Sequence, residues 1–168
     1  FSELSDKAKE TAIDENYYIN VSDEWWESTY EDAANIGLTI TKFGLGSGNF
    51  CKGNLGVNTA WDVATKIMQT HGEGCDTYKT AAEFITNWNE LVKQHSDGIN
   101  TEKVTEDKEE DFDPLADSLE SEFVYSLLED YRIMLQKEYE YQTSKEAIME
   151  SIGANGFEFT KEGKPFNG

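Results

Sequence analysis

LESEFVYSLLEDYRIMLQKEYEY, residues 119–141, is the stretch whose reading decides the fold. Val124, Leu127, Leu128, Tyr131, Leu135 and Tyr139 recur at three- and four-residue steps, which places them on one face of a helix. Glu122, Glu129, Asp130, Lys137 and Glu140 fall mostly elsewhere and stay in water. A stripe with that many large apolar groups must be buried, so this segment is expected to be the central helix of the core. The predicted fold class is α+β: a mainly helical single domain spanning residues 1–168, with five or six helices and a small antiparallel β-sheet.

Working outward, the segment just before this helix, HSDGINTEKVTEDKEEDFDP, is the most acidic run in the chain and is expected to be a mobile loop over residues 96–113, with Pro114 near its end. After the helix, Thr143 and Glu146 have the spacing of a capping box and open a short helix through about Ile152. Asn155-Gly156 reads as a turn and FEFT (157–160) as a short strand.

Towards the N-terminus, Ser5 caps a first helix through about Tyr18, with Ala8, Ala12, Ile13 and Tyr17 inward. Ser22 is placed to cap a second, DEWWESTYEDAANI, closed by Gly37. LTITKF (38–43) alternates like a half-buried strand, GLGSG turns, and NFCKGNLGV returns, so a hairpin is expected. The strand at 157–160 is expected to pair in the same sheet. Two more helices follow. One runs from about Asn58 to Thr70, with Ala60, Trp61, Ala64, Ile67 and Met68 inward. The other runs from about Thr77 to Gln94, with Phe84, Ile85, Trp88, Leu91 and Val92 inward and a capping-box spacing at Thr80 and Glu83.

No apolar run approaches the roughly 18 residues of a membrane span, and FSELSDKAKE has neither the basic start nor the apolar centre of a signal peptide. Cys51 and Cys75 make no disulfide framework and no zinc-finger spacing, so a reducing, cytoplasmic setting is expected. Charge is the outlying property: 34 acids against 14 bases give −20, and Arg132 is the one arginine. Direct nucleic-acid binding and anionic membranes are disfavoured, and a basic protein is the natural complement. Residues 1–36 hold ten acids and two bases, residues 37–100 six and five, and residues 102–122 ten and two. General solubility would not require that clustering.

Motifs that carry chemistry are weak. FGLGSGNFCKGNLG lacks the phosphate-loop pattern, since Lys52 is followed by Gly53. Two of His71, Glu73 and Cys75 could bind a metal, but a site needs three or four ligands and the companion set is missing; His95 is the only other histidine. EDKEEDFDPLAD lacks the glycine and glutamate of a calcium loop. A cysteine–histidine nucleophile pair, Cys75 with His95 or Cys51 with His71, would need convergence in space, and this cryptic enzyme is the third reading. No catalytic residue, cofactor or metal is therefore expected.

The acidic blocks read in two ways. The bland one is a solvated surface. The sharper one is a surface that imitates phosphate: duplex DNA carries a charge per roughly 1.7 Å of axis, and carboxylates one helical turn apart sit roughly 5–6 Å apart at Cβ. Asp23, Glu24, Glu27 and Glu31 form one such row and Asp117 with Glu120 another. The candidate partner-binding residues are Glu106, Asp107, Glu109, Glu110, Asp111 and Asp113, with Phe112 as an apolar anchor, and Asp23, Glu24, Glu27 and Glu31 as a second patch.

The stretches LSDKAKETAI, EWWESTYEDAANIGLTITKF, HGEGCDTYKTA, LLEDYRIMLQKEYEYQTSKEAIMESI and GFEFTKEGK resemble a family of small phage and prophage proteins, some carrying antitoxin-like labels. The likeness runs from about residue 4 to 164 and brings no functional residues with it. The family implies a charged residue where this chain has Gly44, Gly46 and Ser47. A phage origin implies a counter-defence inhibitor acting by DNA mimicry on a basic host nucleic-acid-binding protein, such as a CRISPR effector or restriction enzyme. The alternative is an antitoxin-like protein that neutralises a basic toxin.

Overall fold

The computed structural model describes residues 1–96 and 109–166, with side chains from residue 112 onward in the second stretch. The chain is a mainly helical α+β domain with a small antiparallel sheet, as expected. The elements are α1 (Asp6–Glu15), α2 (Glu27–Asn35), β1 (Thr39–Gly44), β2 (Phe50–Asn54), α3 (Ala60–Thr70), α4 (Asp76–Ser96), α5 (Glu109–Gln142) and α6 (Lys145–Asn155). They gather into two compact units, Thr29–Ile133 and Phe1–Ser28 with Met134–Gly168.

The core of the larger unit takes Ala33 and Ile36 from the end of α2, Leu38 and Ile40 from the β1 side, Val63, Ala64 and Ile67 from α3, Ala81 and Phe84 from α4, and Phe123, Leu127 and Tyr131 from α5. The buried row on α5 therefore steps by four from Phe123. Val124 and Leu128, expected at its centre, are only partly buried beside it. Phe123 stacks on Phe84 with ring centroids 4.6 Å apart. Leu127, Tyr131 and Leu135 are fully buried as expected, and Phe123, held by that stack, extends their row towards the start of the helix.

α5 starts ten residues before the expected position. Pro114 reads as a breaker, yet it falls in the second turn, where its missing N–H forfeits a single bond to the Glu110 carbonyl. The acidic residues around it favour the positive end of a helix dipole. The Phe112 ring meets Trp88 at 6.3 Å and His95 at 5.2 Å, which seats that first turn on α4. The expected loop thus shrinks from both sides: α4 runs to Ser96, α5 covers 109–113, and residues 97–108 lie outside the described residues.

α2 also begins later than expected, at Glu27. The Ser22 hydroxyl donates to the Ile19 carbonyl at 3.4 Å instead of capping, and Trp25 and Trp26 sit in a turn. Its end matches expectation. Gly37 has φ +92°, its N–H bonds the Ala34 carbonyl at 3.0 Å, and the Leu38 N–H bonds the Ala33 carbonyl at 2.9 Å. That is a Schellman closure, which needs a residue without Cβ in the left-handed region.

The hairpin is present, pairing Thr39 with Asn54 through Gly44 with Phe50, with an irregularity between Ile40 and Lys42. A Cβ on Gly53 would meet the Thr39 carbonyl oxygen at 2.3 Å, so close strand approach explains that glycine. On α3, Thr59 caps and Val63 turns inward, whereas Trp61, expected inward, is 38% exposed. α4 starts at Asp76, and Thr80 lies inside it rather than at a cap.

In the smaller unit, Ile13, Ile148 and Ile152 form an aliphatic core with Phe1, Ile19 and Phe159 packed on it. Ser5 caps α1 as expected, but α1 stops at Glu15 and Tyr17 is exposed. The α6 cap is Ser144, whose side chain accepts from the Ala147 N–H. Thr143 donates to the Tyr139 carbonyl at 2.8 Å and stays with α5, so the expected capping box is off by one residue. FEFT does not join the hairpin: Phe159 makes an isolated bridge to Pro165, and the sheet among the described residues has two strands.

Candidate partner-binding face

The polar groups inside the larger unit are used to hold helices together. The Tyr131 hydroxyl, fully buried on α5, donates to Asp32 Oδ2 at 2.8 Å. His71, at the end of α3, brings Nδ1 to 2.7 Å from the Thr77 hydroxyl and Nε2 to 3.8 Å from Asp32 Oδ1. With the ring proton on Nε2, Nδ1 accepts from the Thr77 hydroxyl and the Nε2–H faces the Asp32 carboxylate beyond hydrogen-bond distance. Thr80 donates to Asp130 Oδ2 at 2.6 Å. Burial pushes the Asp130 carboxyl above the usual range, against the Thr80 hydrogen bond that lowers it. The order aspartate–histidine–threonine has the shape of a relay, but Thr77 is 3% exposed and cannot meet a substrate.

Cys51 lies beside Glu129 and Arg132. Burial first, then the Glu129 charge, push its thiol up to about 11, so it stays protonated at neutral pH. Arg132 holds Glu129 through Nε at 2.8 Å and Nη2 at 2.7 Å, and that hydrogen bonding draws the Glu129 carboxyl down. Glu73 and Cys75 are exposed while His71 turns inward, so HGEGC does not converge on one point. No group of three or more potential metal ligands occurs among the described residues.

Of the sequence candidates, Glu106 and Asp107 lie outside the described residues. Glu109, Glu110 and Asp111 fall in the first turn of α5 by backbone alone. Asp113 is exposed at the same end, and Phe112 is already engaged by Trp88 and His95, so it is not a free anchor. Asp23 and Glu24 are exposed but precede α2, so they do not continue the helical spacing of Glu27 and Glu31, which stand four positions apart on α2 and are exposed. None of Asp23, Glu24, Glu27, Glu31 and Asp113 is among the paired acids. The ion pairs with lysine or arginine among the described residues involve Asp6, Glu10, Asp76 and Glu129.

A feature that the sequence reading missed lies along α4 and α5. Two adjoining clefts of about 130 and 380 Å³ share Asn87, Leu119 and Glu122. Their walls carry Glu83, Glu90 and Glu122 over a partly apolar floor that includes Leu119, and among the described residues no basic side chain lines either one. Carboxylates set in a concave surface focus potential more strongly than the same charges on a flat one. The signal was present as a polar stripe at positions 83, 87, 90 and 94 of α4, but the apolar stripe beside it dominated the reading.

No known protein-family model matches the chain, and no curated protein or solved structure matches it either.

Proposed function

We propose that this chain is a non-enzymatic acidic binding protein that occupies the basic groove of a nucleic-acid-binding protein. The observation that carries this reading is the set of carboxylates on α4 and α5 of the larger unit: Glu83, Glu90 and Glu122 line clefts that hold no lysine or arginine among the described residues, and Asp113, Asp117 and Glu120 follow one another at one-turn intervals. Phosphate-like spacing attracts the lysines and arginines that otherwise neutralise a nucleic-acid backbone. The likeness to phage and prophage proteins makes a host defence protein, of the CRISPR-effector or restriction-enzyme kind, the partner to test first.

The apolar floor of the α4–α5 clefts favours a second reading, an antitoxin-like protein that grips one discrete segment of a small basic toxin. A duplex mimic has no need of such a floor. Immobilised protein exposed to host lysate at low salt, then eluted with duplex DNA, separates the two. Release of nucleic-acid-binding proteins by DNA supports mimicry. A basic partner that DNA does not release supports the antitoxin reading. Capture that is insensitive to salt contradicts both.

A further inference from the structure

A larger groove in the same unit lies between α5 and the segment that joins β2 to α3. It encloses about 630 Å³, and its apolar lining includes Leu55, Val124 and Leu128, with Ser121, Tyr125 and Glu120 along the α5 wall. Val57, on the joining segment, is fully exposed, and Tyr125 is 75% exposed. Neither is needed for the core. An aliphatic and an aromatic side chain left in water beside an apolar groove are the composition of a binding surface rather than of a solvated one.

What covers the groove is indicated by its charge. On a helix, positions 113, 117, 120 and 124 fall on one face at steps of four, three and four residues. Val124 in the groove is therefore followed, towards the start of α5, by Glu120, Asp117 and Asp113, spaced about 4.5–6 Å apart along the axis. Asp113 and Asp117 are exposed, Glu120 is half-buried, and none of the three is paired with a described cation. Among the described residues no basic side chain lines the groove. A second copy of this chain, at −20, would bring like charge to the carboxylate row.

We propose that this groove docks a basic segment of the partner protein, with one large apolar side chain seated between Leu55 and Val124 and its lysines or arginines laid along Glu120, Asp117 and Asp113. This rests on the reading that the partner is basic, and it adds the place and form of the contact. The apolar side chain supplies residence and the carboxylate row supplies orientation and encounter rate.

The test uses the isotope-labelled full chain and a short synthetic helical peptide carrying one leucine with lysines one turn to either side. Chemical-shift changes are expected to concentrate on Leu55, Ser121, Val124 and Tyr125. Ser121→Trp, which fills the groove from an exposed position, should weaken binding about tenfold, the loss typical of blocking an anchor. Tyr125→Ser, a change at a solvent-exposed position, and a peptide with serine in place of leucine should each weaken it as well. Binding that S121W and Y125S both leave intact, while D117K/E120K and E27K/E31K weaken it alike, would overturn the groove and leave the acidic-binder reading standing. No binding of the peptide even at low salt would overturn both.

Discussion

The Tyr131–Asp32 hydrogen bond allows a prediction in which the two partners are not equivalent. Tyr131 is fully buried and donates at 2.8 Å; burial raises its phenol pKa, which keeps it a neutral donor. The Asp32 side chain is 43% exposed. Tyr131→Phe removes the donor, and the carboxylate then turns to water, so no buried group is orphaned. A hydrogen bond to a carboxylate contributes about 1.5–3 kcal/mol, and solvent access at Asp32 reduces this to about 1–2 kcal/mol. For a chain of this size the melting temperature should fall by roughly 2–8 °C. Asp32→Ala removes the acceptor instead and leaves the buried hydroxyl without its protein partner, which adds about 1–3 kcal/mol of desolvation. The order of loss is therefore Asp32→Ala greater than Tyr131→Phe. Urea unfolding followed by tryptophan fluorescence measures both, with the double variant closing the cycle. A Tyr131→Phe variant that matches wild type, a reversed order, or two losses that simply add would each rule out this asymmetry.

Three further outcomes follow from the same structure. Asp130 has a carboxyl pKa raised by burial, so ionising it costs stability; the cost is present at neutral pH and fades as pH falls through the folded-state pKa. Asp130→Asn, which still accepts from Thr80, should stabilise at pH 7 and lose that gain in acid, as read by urea midpoints at both pH values; equal effects at the two would contradict this. Gly53→Ala, whose Cβ would press on the Thr39 carbonyl, should cost about 2 kcal/mol or more, whereas Gly48→Ala, with open space around it, should be near neutral in thermal melts. Iodoacetamide near neutral pH should label exposed Cys75 first and half-buried Cys51 slowly, its thiol being held up near 11; mass spectrometry of Cys75→Ser, which should show no fast label, checks the assignment.

What was legible in the sequence depended on whether a local rule acted alone. The hairpin, the Gly37 closure and the Ser5 cap were readable because short-range geometry sets them. On α5, Leu127, Tyr131 and Leu135 were readable from their spacing, whereas Phe123 was not, because its burial goes with a stack on Phe84, a residue far away in sequence. The start of α5 was obscured because Pro114 signals a break, while its compensation comes from Phe112 against Trp88 and His95 on another helix. Of the candidate face, the acidic content was visible and its arrangement was not. Asp23 and Glu24 look like the first turn of α2, yet the helix begins beyond them. Glu83, Glu90 and Glu122 are ordinary solvent-facing residues in each helix alone, and they acquire meaning as the walls of shared clefts.

Under the proposed function, position and not total charge makes the acidic surface bind. The most direct measurement is the affinity for the captured basic partner of D113K/D117K/E120K against E146K/E150K/E162K, which changes the net charge equally but places the change on α6 and beyond it, each at low and physiological salt. The α5 triple variant should lose at least about tenfold in affinity and the other should change little, with steep weakening of wild type by salt. Equal losses for the two variants, or none for either, would contradict the proposed function.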